Sequence, residues 1–176
     1  MATKKRNILG INGSASKNSS NLAILKQIAD YGKSDFDFTI IDDLTELPHF
    51  KTELTDTNVP EKIIEFRNQI ENAHGIIICT PEYVFSIPSG LKSAIEWCVS
   101  TTVFSDKSIG IITASASGEK GHEELKLIMK TVQTHFTDET TLLIQGVKGK
   151  IDKNGNILDD TTRNELKKFV QSFTNL

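Results

Sequence analysis

At 176 residues with 38% hydrophobic side chains, the chain is long enough for one domain with a full core and too short for two ordinary ones. A net charge of −3 with both signs scattered leaves no basic footprint for nucleic acid and no basic patch for a membrane surface. No stretch approaches the roughly 18 apolar residues of a membrane span and no apolar leader core opens the chain, so a cytoplasmic protein is expected.

Lys4-Lys5-Arg6 reads as the end of a solvated tail over 1–6, ahead of a short buried strand over 7–11. The loop Asn12 to Asn21 follows, and then a helix over 21–32 marked by Leu22, Leu25, Ile28 and Ala29. Ser14, Ser16, Ser19, Ser20 and Asn21 crowd the start of that helix, where unpaired N–H groups and the positive dipole end favour an anion. The outline is that of a phosphate cradle. It is neither a Walker A loop nor a G-x-G-x-x-G turn, and an ordinary N-cap with a polar loop explains the same residues as well.

A strand over 36–42, a long loop and a helix over 60–72 come next. The β-branched run over 75–80 reads as a buried strand that empties at Thr80-Pro81 into a loop carrying Glu82, Tyr83, Phe85 and Ser86. A helix over 89–100 follows, with Leu91, Ala94, Ile95, Cys98 and Val99 as one apolar stripe. Tyr83 and Phe85 fit no core pattern, which suits a ligand or partner surface; Glu82 and Lys92 also read as solvated charges, and Trp97 as core.

The remaining elements are a strand over 108–113, a helix over 119–136 with Leu125, Ile128, Met129, Val132 and Phe136, and a strand over 141–145. Asn154-Gly155 between Ile151 and Ile157 predicts a hairpin with a type I′ turn. The same residues fail as a calcium loop, since Ile157 and Arg163 hold its sixth and twelfth positions. A last helix over 161–173 opens on a Thr162-x-x-Glu165 capping box. Cys79 and Cys98 lack C-x-x-C spacing and read as core. The four histidines make no metal pattern.

Alternating strands and helices imply a doubly wound five-stranded parallel sheet, order 2-1-3-4-5, with helices on both faces. The chain then reverses direction between strands 1 and 3, and ligands bind outside the carboxyl ends of strands at such a switch point. The cradle and the aromatic loop leave those two strands.

The residues resemble the flavodoxin-like NAD(P)H-dependent FMN reductases, which include related quinone, azo-dye and chromate reductases. Gly13, Ser14, Ser19 and Asn21 fit that family's first motif, Gly-Ser-x-Arg-x-x-Ser-x-Asn. Pro81, Glu82, Tyr83, Ser86, Pro88, Leu91, Lys92, Ala94, Ile95 and Trp97 match its second in register. Thr113 to Gly121 stands where the family has its third flavin loop, and the resemblance runs from about residue 7 to the end. It implies bound FMN, with NADPH or NADH as reductant and a small-molecule electron acceptor such as a free flavin, a quinone, an azo compound or a metal oxyanion. It also implies a homodimer or homotetramer.

Under the resemblance, Gly13, Ser14, Ser16, Ser19 and Asn21 would hold the phosphate. Pro81, Glu82, Tyr83, Val84, Ser115, Ser117 and Gly118 would border the flavin ring. The flavin carries the chemistry, so no side chain is named as catalytic. Ser16 stands where the family has Arg, which removes a charge-assisted bond of about 1.5–3 kcal/mol unless Lys17 supplies it. Val84 stands where the family has Asn. The rival readings are a flavodoxin-type electron carrier that does not oxidise nicotinamide and a flavin-free interaction module.

Overall fold

The computed structural model describes residues 5–176. Ten principal elements follow in order: β1 (Arg6–Asn12), α1 (Ser20–Tyr31), β2 (Phe36–Ile41), α2 (Glu61–Asn72), β3 (Gly75–Thr80), α3 (Ser89–Glu96), β4 (Ser108–Ser115), α4 (Glu119–Thr131), β5 (Thr141–Gln145) and α5 (Asp160–Thr174). The strands form one parallel sheet in the order β2-β1-β3-β4-β5, as expected. Every residue of β3 is buried, because helices cover both faces of a parallel sheet and leave no polar side.

Two cores result. Ile24, Leu25 and Ile28 of α1 join Leu166, Phe169 and Phe173 of α5 on one face. Phe66 and Ile70 of α2, Leu91 and Ile95 of α3, and Leu125 and Met129 of α4 pack on the other.

Several local expectations are corrected. Residues 1–4 of the expected tail lie outside the described residues, whereas Lys5 Nζ donates to Lys33 O and Arg6 opens β1. The third helix ends at Glu96, where the Trp97 carbonyl is taken by Arg67 Nε from α2 at 2.9 Å. Val99 thus leaves the stripe and is 64% exposed. The fourth helix stops at Thr131: Gln133 turns left-handed (φ 63), and Thr134 N and Oγ1 fold back to Met129 O. Val132 and Phe136 still pack on the core from beyond the helix end.

The last helix is capped one turn earlier than the capping box implied. Asp159, not Thr162, is the N-cap, and its carboxylate accepts from Thr162 N at 2.7 Å and Thr162 Oγ1 at 2.6 Å. Thr162 is buried as the receiver of that cap. The hairpin closes at Ile151 and Ile157, but only Gly155 of the Asn154-Gly155 pair has positive φ. A type I′ turn needs both residues left-handed, so the turn is of another type. Asp152 stabilises it by accepting from Asn154 N and Asn156 N, each at 2.8 Å.

The sheet tolerates α5 close by because β4 carries a glycine beneath it. A Cβ at Gly110 would lie 2.6 Å from Phe169 Cζ and 3.2 Å from Ile77 Cγ1, and Phe169 stacks on Phe173 with ring centroids 6.4 Å apart. Gly110→Ala is expected to destabilise by about 1–3 kcal/mol through overpacking, measured as the shift in urea midpoint.

Candidate functional site

Three loops leave the carboxyl ends of the neighbouring strands β1, β3 and β4. The first begins at Asn12, whose Oδ1 accepts from Ser14 N (3.2 Å) and Ser19 Oγ (3.4 Å) while Nδ2 donates to Asp42 O (2.9 Å). Gly13 N donates to Cys79 O at 2.9 Å. A Cβ at Gly13 would lie 2.5 Å from Thr80 Oγ1 and 2.9 Å from Leu91 Cδ2, so glycine alone lets this loop lie against β3.

Ser19 caps α1 by accepting from Leu22 N at 3.0 Å. The N–H groups of Ser20 and Asn21 in the first turn find no acceptor among the described residues, as helix geometry requires of a first turn. Ser14 Oγ accepts from Ser16 N at 3.2 Å and stands 3.5 Å from Tyr83 Oη, so the first and second loops touch. Ser16 and Lys17 are exposed beside them. The Asn21 side chain is turned inward: Nδ2 donates to Ala114 O (3.3 Å) and Oδ1 accepts from Cys79 Sγ (3.3 Å). It ties α1 to β3 and β4, leaving its N–H as the group facing the cradle.

The second loop contains a two-residue turn. Tyr83 N donates to Ser86 O (2.8 Å), Ser86 N donates to Tyr83 O (3.1 Å), and Val84 and Phe85 between them have φ 52 and 60. Two successive left-handed residues closed by such a pair are the type I′ arrangement. A β-branched residue there is strained. Val84 is 94% exposed, Phe85 76% and Tyr83 43%, while Pro81 is buried.

Glu82 points away from the turn. Its Oε1 accepts from Gly118 N (3.2 Å) and its Oε2 from Gly121 N (2.8 Å), which satisfies the amino end of α4. Glu124 Oε2 accepts in return from Ser86 Oγ (2.7 Å) and Ile87 N (2.9 Å). The third loop runs from Ser115, whose Oγ donates to Glu82 O at 3.4 Å, through exposed Ser117 to Gly118. Gly118 has φ 88 and forms the N-cap of α4. Below it Thr113 Oγ1 meets His122 Nδ1 at 2.9 Å, and burial with nearby Lys126 pulls the His122 pKa down.

Asn12, Asn21 and Cys79 thus make a polar floor under the first loop. Glu124 was not singled out from sequence, since nothing in the spacing of a helix residue shows that it reaches a loop 37 positions earlier. Asn12 was visible as the residue before Gly13. Burial pushes the Cys98 thiol up to about 12, partly offset by Arg67, and raises that of Cys79 well above its ordinary value too. Neither is poised as a nucleophile. Among the described residues no His/Cys/Asp/Glu group could hold a metal ion.

The donor set fits a flavin mononucleotide. Unpaired first-turn N–H groups, the Ser16 hydroxyl and Lys17 suit a phosphate, and an aromatic turn beside a serine- and glycine-containing loop suits a flat ring. A concavity of about 690 Å³ also reaches this end of α1; Lys17, Ser19 and Ser20 line it together with the loop around Asp152.

A doubly wound sheet with these loops at its switch point defines a flavodoxin-like flavoprotein. The sequence profile of the NADPH-dependent FMN reductases matches residues 6–148, and the chain belongs to that family. It is an NAD(P)H-dependent reductase that uses FMN. It is 29% identical over 168 residues to a 2-hydroxy-1,4-benzoquinone reductase of a Burkholderia species, covering 92% of this chain and 90% of that one. Similarity to the NADH-dependent flavin reductase subunit 2 of Lactobacillus johnsonii reaches 32% over 147 residues, with 73% and 78% covered. Among solved structures, a flavoenzyme NAD(P)H:acceptor oxidoreductase of Paracoccus denitrificans superposes with a TM-score of 0.84 at 23% identity, over 97% of this chain and 96% of that one.

The strained turn supplies a direct test. Val84→Asn is expected to stabilise the protein by about 1 kcal/mol, because Asn settles in the left-handed region far more readily than a β-branched residue. Thermal unfolding reads the change, and an unaltered midpoint would mean that the turn carries no strain.

Proposed function

We propose that the chain transfers reducing equivalents from NAD(P)H through FMN to a small planar acceptor of the quinone class. The observation that carries this reading is the meeting of unpaired first-turn N–H groups and an exposed aromatic turn at the ends of β1, β3 and β4. Relatives named for quinone reduction support the acceptor class. The family match favours a reductase over an electron carrier.

FMN, when bound, would supply the redox chemistry, taking two electrons from the nicotinamide and passing them on to the acceptor. The residues of the chain bind and orient. The Ser20 and Asn21 N–H groups, the Ser14 and Ser16 hydroxyls and Lys17 would hold the phosphate, with Ser19 capping the helix whose first turn presents those N–H groups and Gly13 permitting the loop's approach. Pro81, Tyr83, Val84, Ser115, Ser117 and Gly118 would border the ring. Val84 and Phe85 offer main-chain N–H groups that have no acceptor among the described residues. Glu82 contributes its backbone, since its carboxylate is engaged by α4.

We place this activity in one FMN-binding domain in the cytoplasm, acting as a homodimer. No helix among the described residues is long and apolar enough to cross a membrane. The exposed apolar pair Val84 and Phe85 supports a partner subunit as a wall of the crevice.

Anaerobic titration of the reconstituted protein with NADPH and with NADH should bleach the flavin, and added benzoquinone should restore the colour faster than air does. Bleaching without that acceleration would remove quinones as the acceptor. Colour that persists through the titration would leave an electron carrier.

Phe85→Asp would place an unpaired carboxylate in a contact expected to be dry, at a cost of several kcal/mol. Sedimentation should then show monomers, with turnover lost and FMN still held by the first loop. A wild-type monomer with full turnover would refute the shared wall.

A further inference from the structure

The second and third loops exchange carboxylates. Glu82 of the β3–α3 loop satisfies Gly118 and Gly121 at the start of α4, and Glu124 of α4 satisfies Ser86 and Ile87 back in the β3–α3 loop. Glu82 sits on two backbone N–H groups and Glu124 on one, beside the Ser86 hydroxyl, and the N-cap Gly118 has no side chain with which to cap its own helix. Gly121 makes the approach possible: a Cβ there would lie 3.2 Å from Glu82 Cβ and 3.4 Å from Ser86 O. The positive end of the α4 dipole offsets the Glu82 charge.

Between these two anchors lies the left-handed turn of Val84 and Phe85. Its side chains project outward and contribute little packing, and its own closure is the single Tyr83–Ser86 backbone pair. Strain of this kind persists only where the surroundings over-determine it. We infer that Glu82 and Glu124 form a crossed clasp that holds this turn left-handed before the cofactor arrives. They are thereby positioning residues for FMN and not contacts to it. The inference rests on the FMN reading above.

The test titrates flavin-free wild type, Glu82→Gln, Glu124→Gln, Glu124→Ala and the double variant Glu124→Ala with Val84→Asn. FMN and riboflavin are used in parallel, with flavin fluorescence as the readout. Glu124→Ala should weaken FMN roughly tenfold, and Glu124→Gln, which keeps one acceptor oxygen, should fall between it and wild type. Riboflavin should lose the same factor, because the clasp acts on the ring loops and not on the phosphate. Val84→Asn should return most of the affinity lost in Glu124→Ala, since Asn holds the turn unaided; a general packing role for Glu124 would show no such rescue.

Urea midpoints identify any variant that fails to fold, and the two Gln variants then carry the comparison. Unchanged affinity in Glu82→Gln and Glu124→Ala, a loss confined to FMN, or no rescue by Val84→Asn would overturn the clasp. Absent quenching in wild type would instead sink the FMN reading. In that case amide exchange at Tyr83 and Ser86, whose N–H groups close the turn, decides the clasp in the flavin-free protein: it should be faster in Glu124→Ala, and equal rates would overturn it.

Discussion

Parallel pairing of β1 with β3 is the constraint on which the rest of the molecule depends. β2 lies beyond β1 and β4 beyond β3, so right-handed connections must leave the two central strands toward opposite faces. α1 goes to the face it shares with α5, and α3 goes to the face shared with α2 and α4. A crevice opens between their starting loops, and the Gly13 N to Cys79 O hydrogen bond holds its two lips at a fixed separation. Without that divergence the cradle and the aromatic turn would not face each other.

Loops at strand ends carry backbone groups that no ladder satisfies, and leaving such groups buried costs more than a made bond returns. The chain meets this with side chains that look functional in sequence. Asn21 holds α1 to β3 and β4, Asn12 braces the first loop, and Glu82 caps a helix from a neighbouring loop. No buried side-chain nitrogen or oxygen among the described residues lacks a partner. Side chains spent on the scaffold leave N–H groups for a ligand, which suits an anion and a ring edited by hydrogen bonds more than it suits proton chemistry.

Periodicity made the sheet order and the principal elements legible, because burial on both faces writes a continuous apolar run such as Ile76 to Cys79. Ends were less legible, since tertiary partners decide them. Arg67 takes the Trp97 carbonyl and stops α3 at Glu96, and the fold-back of Thr134 stops α4 at Thr131. Asp159 outcompetes Thr162 as a cap because a carboxylate there reaches both Thr162 N and its hydroxyl. The site loops were legible through residue types and the family motif, whereas the pairing of Glu124 with Ser86 depends on how α4 lies over the sheet. No local pattern encodes that placement.

The second loop combines local unfavourability with external support. An isolated turn with Val and Phe both left-handed would relax, at a cost saved of about 1–2 kcal/mol per residue. Here it persists between anchored segments, its backbone N–H groups without an acceptor among the described residues and its apolar side chains exposed. Local propensity and fold conflict most sharply here, where two successive residues are left-handed and one of them is β-branched, and functional sites are where such conflicts are expected. A flexible loop would bind a flat cofactor only after losing conformational entropy on binding, whereas a turn already restrained by its neighbours has lost that entropy during folding. The exposed Val84 and Phe85 are then the part of the restrained surface that a single subunit leaves in contact with water.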